Sequence, residues 1–280
     1  MGLKKSFWIL IAVAVIVGVF LSWVLWANTA LQITRYFLTS DTLPDSFAGF
    51  RIAQVSDLHN TAFGNGNRKL LDLLQQEDID IIVITGDLAD SEDLSVAIDF
   101  ARQAVKIAPV YYITGNHEAY IGNYEQLEKA LTQCDVTVLH NETVLLQRDS
   151  ETIALSGIDD PQFGDALQGV SQTEITSNRL EHMNDRNAPY RILLAHRPEK
   201  INIYASYGYD LVLSGHAHGG QFRLPFIGGL YAPNQGWLPE YDCGVYTVSD
   251  TQMVVSRGLG NSGFPLRFNN RPEIVIIQLN

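Results

Sequence analysis

The sequence predicts an α/β fold in which two packed mixed β-sheets are flanked by helices in a four-layer sandwich, preceded by one N-terminal transmembrane helix. Three observations lead to this prediction. Apolar strand-like runs alternate with helix-period segments, short alternating runs follow Gly219, and a long uncharged segment opens the chain. Of the 280 residues, 46% are hydrophobic and 18% charged, with no low-complexity tract. This composition excludes intrinsic disorder and a coiled coil.

The first element is predicted to be a membrane anchor, residues 1–27. Phe7–Ala27 carries no charged residue and is long enough to span a bilayer. A signal peptide usually has a shorter apolar region and small residues at its cleavage site, whereas Trp23 and Trp26 lie where that site would be. We therefore expect an uncleaved anchor rather than a cleaved signal peptide.

The charges beside the anchor predict its orientation. Lys4 and Lys5 precede the span, and the first basic residue after it is Arg35. By the positive-inside rule, the chain is a single-pass membrane protein with a cytosolic N-terminus and its remainder on the extracytoplasmic side. The formal net charge of −12 argues against duplex nucleic acid as a partner.

Beyond the anchor we expect a membrane-proximal segment, residues 28–50, and one domain, residues 51–280. No Ser/Gly-rich linker, charge block or internal repeat divides that domain. Cys134 and Cys243 are too few for a disulfide framework. The sequence leaves open whether the two thiols pair, and two separate buried thiols are favoured.

Within the domain, five apolar runs end abruptly in polar motifs. The runs are Arg51–Val55, Ile79–Thr85, Val110–Thr114, Arg191–Ala195 and Leu211–Ser214. Three helix-period segments accompany the first three runs: Arg68–Gln76, Leu94–Ile107 and Tyr124–Leu131. Open α/β sheets bind ligands beyond the carboxyl ends of their strands, so the five motifs should converge. The later runs Gly244–Val248, Gln252–Ser256 and Glu273–Leu279 are typical of an antiparallel sheet.

Five of the seven histidines lie in these polar motifs, together with two aspartates and one asparagine. These residues are Asp57, His59, Asp87, Asn116, His117, His196, His216 and His218. Carboxylate, imidazole and amide oxygen supply the mixed donors that a divalent metal prefers. No cysteine joins them, which argues against a structural zinc site of the thiolate kind. The remaining histidines, His140 and His182, are interpreted as ordinary structural residues.

The spacing of the donors indicates two ions. Asp57 and His59 lie two residues apart, as do His216 and His218, so on extended backbone each pair would leave the same face. Asp87 follows the adjacent strand, and a carboxylate between two ions can bridge them. Two divalent cations outweigh the charge of two aspartates, so a phosphate ester could bind there despite the acidic surface.

Together these motifs resemble the five-block signature of the calcineurin-like metallophosphoesterases. The blocks are Asp57-x-His59, Gly86-Asp87, Gly115-Asn116-His117-Glu118, His196 and Gly215-His216-x-His218. The resemblance covers about residues 50–280. Other motifs are similar to a bacterial membrane-associated branch of phosphodiesterase-like proteins, which includes relatives of an enzyme that hydrolyses UDP-diacylglucosamine: Ser56–Asn60, Gly219–Gln221, Ser256–Gly260 and Asn270–Glu273. The protein serine/threonine phosphatase branch is disfavoured, because Ser91 follows Asp90 where that branch has arginine.

The resemblance implies a role for each residue. The first metal would be held by Asp57, His59 and His218, the second by Asn116, His196 and His216, and Asp87 would bridge both. A hydroxide bridging the metals would attack phosphorus, and His117 would protonate the leaving oxygen as general acid. Asp87 and His117 are thus the candidate catalytic residues, and Glu118 is expected to orient His117 or support its loop. The ligand set leaves Mn, Fe and Zn open.

Weaker signals concern substrate contacts. Asn60, Arg197 and Gly219 lie beside the metal motifs and are candidate substrate-binding residues, although Arg197, like Arg68, could instead form a surface ion pair. The segment Phe222–Trp237 is unusually apolar for a loop. It is either a membrane-facing rim beside the site or a hairpin buried against the second sheet.

These observations predict a membrane-anchored hydrolase, a dinuclear metal-dependent phosphoesterase. Its substrate would be a phosphodiester or pyrophosphate of a lipid-linked or cell-envelope precursor. An exported nucleotidase or nuclease is an alternative, because the acidic surface opposes long nucleic acids but admits small nucleotides. A non-catalytic interaction module on the same fold is a further alternative, disfavoured by the complete ligand set.

Overall fold

The computed structural model describes residues 2–163, 169–183 and 187–280, with side chains from Ser6 onward. The side chains of Lys4 and Lys5, whose charges predict the orientation of the anchor, lie outside the described part. A long N-terminal helix, α1 (Gly2–Ala27), leads into an α/β body. Within Ser6–Ala27, an 18-residue window has a mean hydropathy of 2.7 and is only 6% buried, so α1 is long and apolar enough to cross a membrane.

Two six-stranded mixed sheets form the centre of the body. The strands are β1 (Gln32–Leu38), β2 (Arg51–Val55), β3 (Ile81–Thr85), β4 (Val110–Ile113), β5 (Thr137–Val138), β6 (Glu142–Arg148), β7 (Glu151–Gly157), β8 (Arg191–Leu194), β9 (Leu211–Ser214), β10 (Arg223–Leu224), β11 (Gly228–Gly229), β12 (Tyr231–Ala232), β13 (Gly236–Trp237), β14 (Gly244–Val248), β15 (Thr251–Val255) and β16 (Glu273–Leu279). The first sheet has the order β1-β16-β2-β3-β4-β5 and the second β14-β15-β9-β8-β7-β6. β10–β13 form two short hairpins between β9 and β14.

Helices cover the outer faces of both sheets. They are α2 (Arg68–Gln75), α3 (Ser95–Ala104), α4 (Tyr124–Gln133), α5 (Gln172–His182) and α6 (Ile201–Ser206). The three helix-period segments of the sequence correspond to α2–α4, whereas α5 and α6 were not predicted.

Three apolar layers hold the sandwich together. In β2, Ile52 faces the layer between the two sheets and Ala53 the layer under α2–α4, because neighbouring strand residues point to opposite faces. In β9, Leu213 likewise faces the central layer and Val212 the layer under α5 and α6. This arrangement confirms the predicted four-layer fold.

The segment 28–50 belongs to the body, which corrects its prediction as a membrane-proximal connection. β1 pairs in parallel with β16, Gln32 lying opposite Glu273, and Phe47 is fully buried between the sheets. The sequence did not reveal this strand because β1 is a half-exposed edge strand whose partner lies 241 positions away. The packed domain therefore begins near Gln32 rather than at residue 51.

The three alternating runs after Gly219 do not form one antiparallel sheet. β14 and β15 are an antiparallel hairpin, but β15 pairs in parallel with β9. β16 leaves for the first sheet, where it lies antiparallel to β2. Both cysteines, Cys134 and Cys243, are free and only partly buried.

Candidate metal centre

The five polar motifs lie at the carboxyl ends of β2, β3, β4, β8 and β9, where the edges of the two sheets meet. The backbone N–H of His216, after β9, donates to Asp57 Oδ1, after β2, at 3.0 Å. The strand ends approach so closely that a Cβ at Gly115 would overlap the Asp87 carboxylate, and one at Gly215 would overlap Ser56. Glycine is therefore required at these positions by close packing.

Two groups of buried donor atoms share one carboxylate. The first group comprises Asp57, His59, Asp87 and His218, and the second comprises Asp87, His196 and His216. Within each group the ligand atoms lie within 4.8 Å of one another. Asp87 belongs to both groups, which is the position expected of a bridging carboxylate.

Unpartnered polar atoms show that this donor set fits a cation. Asn116 Oδ1 and His196 Nε2 are buried and accept no hydrogen bond from the described residues. His196 Nδ1 lies 2.7 Å from the Thr85 carbonyl oxygen, to which it donates, so Nε2 is the nitrogen that faces the centre, 3.2 Å from Asp87 Oδ2. Buried acceptors without a donor cost free energy, and a divalent cation would satisfy them.

The electrostatics of the centre are dominated by its carboxylates. Although burial opposes the charged form of His196, Asp87 and Asp57 raise its pKa to about 10. Burial raises the pKa of Asp57, whereas the neighbouring histidines, led by His196, hold that of Asp87 well below its usual range against the effect of burial. Burial also lowers the pKa of His216 to about 3, so its imidazole stays neutral and able to bind a metal.

The backbone at the predicted ligands is left-handed rather than extended. The φ angle is positive at Asp57, His59, Asp87, His216 and His218, with values between 46° and 66°. This corrects the expectation that residues two apart would share a face of extended chain. Non-glycine residues rarely adopt this conformation, although Asp, Asn and His tolerate it better than others, and backbone strain of this kind is enriched at functional sites.

His117 lies at the edge of the donor groups, with 28% of its side chain exposed. Its backbone N–H donates to Asp87 Oδ1 at 2.8 Å, and its Nε2 lies 3.0 Å from Ser262 Oγ and 4.0 Å from Asp87 Oδ2. Burial lowers the pKa of His117, although Asp87 opposes this change. The imidazole is therefore both oriented and accessible from solvent.

Glu118 supports the loop rather than contacting His117. Its buried carboxylate accepts hydrogen bonds from four backbone N–H groups, those of Asp87, Leu88, Ala89 and Gly115. Burial, together with the charge of Asp87, raises the pKa of Glu118 to about 7. Glu118 thus connects the loop after β3 to the loop after β4.

Four residues that contact the centre were not predicted from the sequence as site residues. Asp90 Oδ2 lies 3.6 Å from His59 Nδ1, and Asn234 Oδ1 lies 2.9 Å from His216 Nε2. Arg267 Nη2 lies 3.2 Å from His218 Nδ1, and Ser262 contacts His117 as described. Only Asp90 lies close to one of the five blocks, three residues after Asp87. The other three are isolated polar residues in loops that are distant in sequence, and only the tertiary fold brings them to the centre.

The three predicted substrate-binding residues differ in their contacts and in whether they are free to bind a substrate. Arg197 is buried, and its guanidinium pairs with both carboxylate oxygens of Asp160 at 2.6 and 3.0 Å, so it is not free to bind a phosphate. Asn60 donates to Ser91 Oγ at 2.6 Å and to the Asp93 carbonyl, while its Oδ1 is buried without a partner. Gly219 packs so closely against Asn270 that a Cβ would overlap it.

The apolar segment Phe222–Trp237 is not a buried hairpin. Its β10–β13 hairpins expose several large apolar side chains, and Phe226 projects fully into solvent. Of the two interpretations of this segment, the exposed rim agrees with the structure.

Arg68, the other arginine considered beside the metal motifs, is exposed and lies 3.8 Å from Asp72, one helical turn away.

The chain belongs to the calcineurin-like phosphoesterase family, whose family model matches residues 50–220. It is 32% identical over 258 residues to the metallophosphoesterase YkuE of Bacillus subtilis, covering 89% of this chain and 85% of that protein. It is 28% identical to the phosphodiesterase YaeI of Escherichia coli, covering 84% of each. The family and the buried donor groups together identify a metal-dependent phosphoesterase, so the non-catalytic alternative is not retained.

Two further similarities concern the membrane and the fold. A transmembrane protein with a metallophosphoesterase domain from Danio rerio is 31% identical, and the match covers 85% of this chain but 55% of that protein. The crystal structure of TT1561 from Thermus thermophilus superimposes with a TM-score of 0.50 at 14% identity, covering 75% of this chain and 90% of that one. The second similarity concerns the fold alone.

Proposed function

We propose that the chain is a membrane-anchored phosphodiesterase or pyrophosphatase that binds two divalent ions, Mn, Fe or Zn, and hydrolyses a lipid-linked or cell-envelope phosphoester. The observation that carries this proposal is the position of Asp87, whose carboxylate is common to two buried donor groups. A carboxylate shared in this way is the hallmark of two-metal hydrolytic sites. The similarity to YaeI, which is named as a phosphodiesterase, supports the diester over the monoester.

The predicted ligands divide between the two ions along the observed groups. One ion would be held by Asp57, His59, His218 and Asp87, and the other by Asp87, Asn116, His196 and His216. Asn116 joins the second set through its unpartnered Oδ1. When bound, the ions activate water as the nucleophile and neutralise charge developing on the phosphoryl oxygens. The Thr85 carbonyl and Asn234 orient His196 and His216 from outside.

His117 is assigned the role of general acid. It contacts the loop of Asp87 through its backbone, yet its imidazole remains partly exposed at the mouth of the centre. Ser262 fixes the ring through Nε2, which is the atom that would give its proton to the leaving oxygen. Burial lowers the pKa of His117, so its imidazolium is a stronger acid toward an alkoxide leaving group than a fully solvated histidine.

The proposed location is the extracytoplasmic face of a membrane, with the N-terminus in the cytosol. The length and exposure of α1 and the transmembrane relative support membrane attachment. The orientation rests on Lys4 and Lys5 before the span. A reporter that is active only in the cytosol, fused to the C-terminus, should remain inactive, and an active reporter would reverse the orientation.

The test of the reaction uses the full chain in detergent, stripped of metal and reloaded with Mn²⁺. A chromogenic phosphodiester and the matching monoester serve as substrates. We expect metal-dependent diester hydrolysis that falls at least about 100-fold in Asp87→Asn and His117→Ala. The matched control is Asp99→Asn, which removes an exposed carboxylate paired with Arg102 and should retain full activity.

Three results would count against the proposed function. Failure of the parent protein to bind Mn²⁺ would remove its basis. Undiminished activity in Asp87→Asn would place the chemistry elsewhere. Faster cleavage of nucleotides or short oligonucleotides than of lipid phosphoesters would favour the exported nucleotidase or nuclease instead.

A further inference from the structure

We propose that two neighbouring loops, residues 224–238 and 258–266, enter the bilayer surface beside α1, so that the metal centre opens onto the membrane and takes an amphiphilic phosphoester from it. We call these two loops the apolar rim. The identity of the reaction rests on the proposed function, whereas the contact between the apolar rim and the bilayer rests on the features below.

The apolar rim combines exposed apolar side chains with an absence of charge. Its exposed large side chains include Phe226, Ile227, Tyr231, Trp237, Leu238 and Phe264. Neither loop contains Asp, Glu, Lys or Arg, although the chain as a whole carries 31 acidic residues. Such a surface is costly in water, and it avoids repulsion by anionic lipid head groups.

The two loops form one surface, and that surface borders the metal centre. The Gln221 side chain donates to the carbonyl oxygens of Phe264 and Leu266 at 2.9 and 2.8 Å, which joins the start of the first loop to the second. Asn234 in the first loop contacts His216, and Ser262 in the second contacts His117. A molecule held by the apolar rim therefore lies beside both the ligands and the candidate acid.

Aromatic contacts make the apolar rim continuous with α1. Phe268 contacts Phe20 and Trp23 of α1, with ring centroids 6.1 and 5.6 Å apart. Phe268 also faces Phe222 at 6.4 Å, and Phe222 faces Phe264 at 5.3 Å. These four contacts form an unbroken series of rings from the helix to the second loop.

The end of α1 is also fixed in place by hydrogen bonds. The side chain of Asn28 donates to the Arg267 carbonyl oxygen at 2.9 Å and accepts from the Arg267 N–H at 2.7 Å. The Arg271 guanidinium donates to the backbone of Ala30 at 2.8 Å and lies over the Trp26 ring. The helix and the apolar rim therefore keep a defined relative position.

The depth of these contacts places the apolar rim at the membrane. At 1.5 Å per residue, Phe20 lies roughly 10 Å along the axis before the end of α1 at Ala27. If the bilayer ended below Phe20, the remaining apolar helix from Ser6 to Val19 would span only about 21 Å, too short for a hydrocarbon core of about 30 Å. Phe20, and with it the contacting Phe268, must therefore lie within the outer part of the leaflet.

The first measurement locates Trp237 relative to lipid in the full chain reconstituted into vesicles. Trp8→Phe, Trp23→Phe and Trp26→Phe together leave Trp237 as the single tryptophan of the chain. We expect its fluorescence to be quenched by lipids brominated close to the glycerol end of their acyl chains.

The control for this measurement moves the single tryptophan to Leu145. Leu145 is 57% exposed on β6, at the edge of the second sheet opposite β14. A variant with Trp237→Phe and Leu145→Trp should show little quenching. Equal quenching at the two positions, or none at Trp237, would overturn the proposal.

The second measurement compares two substrates in the same vesicles: a water-soluble chromogenic phosphodiester and one carrying an acyl chain. Phe226→Glu with Ile227→Glu should lower the ratio of acylated to soluble turnover roughly tenfold, because each glutamate would carry charge into the interface. The control is Leu145→Glu, which also replaces an exposed apolar side chain by glutamate but lies outside the apolar rim. It should leave the ratio unchanged. An unchanged ratio in the double variant would overturn the use of the apolar rim for substrate.

The two measurements separate this proposal from the proposed function. If the parent protein cleaves neither diester, the proposed function fails, while the quenching of Trp237 still decides whether the apolar rim contacts lipid. If the soluble diester is cleaved but Trp237 is not quenched, the reaction stands and the membrane contact does not.

Discussion

At the scale of single residues, the convergence of the candidate ligands could be predicted because their chemistry is distinctive. Aspartate, histidine and asparagine rarely cluster at strand ends outside binding or catalytic sites, so Asp57 and His196 could be named as candidate ligands from the sequence alone. Their partners could not, since Asn234 and Arg267 are ordinary loop residues whose proximity to the ligands exists only in three dimensions. The left-handed backbone at the candidate ligands could not be predicted either, because no short sequence motif specifies it.

Arg197 forms the ion pair that was the alternative to substrate binding, but the pair is buried and not on the surface. Because its guanidinium neutralises the buried Asp160 carboxylate, Arg197→Met should leave that charge unpaired and lower the free energy of unfolding by about 3–5 kcal/mol. Arg102→Met breaks the exposed pair with Asp99 and should cost at most about 1 kcal/mol. Chemical denaturation of both variants in detergent tests this difference, and equal losses would contradict it.

Ser262 is predicted to position His117. Removing its hydroxyl in Ser262→Ala should lower kcat about fivefold with little change in KM, the equivalent of one hydrogen bond of about 1 kcal/mol. The pH profile should shift because His117 loses its partner, and Ser262→Thr should restore most of the rate. Ser206→Ala serves as the control, because it removes an exposed hydroxyl at the end of α6 that donates to the Ile203 carbonyl. A profile identical to the parent's would assign Ser262 a structural role only.

At the scale of elements, helices with a clear apolar period were predicted and the others were not. α2 buries Leu70, Leu71 and Leu74, a spacing that is readable in the sequence. α5 buries only Ile175, Thr176 and Leu180 among many polar residues, and α6 has only six residues, so neither presents a strong pattern. Their helical state depends on packing against the second sheet rather than on local sequence.

The strand-end glycines are expected to be intolerant of substitution. In Gly115→Ala the added methyl group would collide with the Asp87 carboxylate and backbone, so metal affinity and diester turnover should both fall at least about 100-fold. Gly122→Ala provides a matched control, because a Cβ there meets nothing within 4 Å. Isothermal titration with Mn²⁺ measures the metal affinity of both variants. Wild-type affinity in Gly115→Ala would contradict the prediction and show that the strand ends can separate.

At the scale of the whole molecule, the layer order followed from the sequence but the pairing of distant strands did not. Alternating apolar residues show that a strand is buried, yet they do not identify its neighbour. The sequence therefore left unresolved that β1 pairs with β16 and that β16 separates β1 from β2. The start of the domain was misplaced for the same reason.

Metal binding should stabilise the whole molecule, because both sheets contribute ligands to one centre. Removing metal with a chelator should lower Tm, and Mn²⁺ at 100 times its dissociation constant should restore about 2.7 kcal/mol of stability. Asp87→Asn should show no comparable response to Mn²⁺, since it loses the shared carboxylate. Thermal unfolding with and without chelator makes the comparison, and a Tm that ignores metal in the parent protein would contradict it.

The pairing of β1 with β16 also determines when the first sheet can close during synthesis. The paired residues Gln32 and Glu273 lie 241 positions apart, so at ordinary elongation rates β1 waits on the order of 10–50 s for its partner. Throughout that interval α1 can already be inserted while the first sheet remains open at β2, with unpaired edges that invite aggregation. Premature termination before residue 273 would therefore leave the first sheet unclosed between β1 and β2, and such a chain should be inactive rather than active at a reduced level.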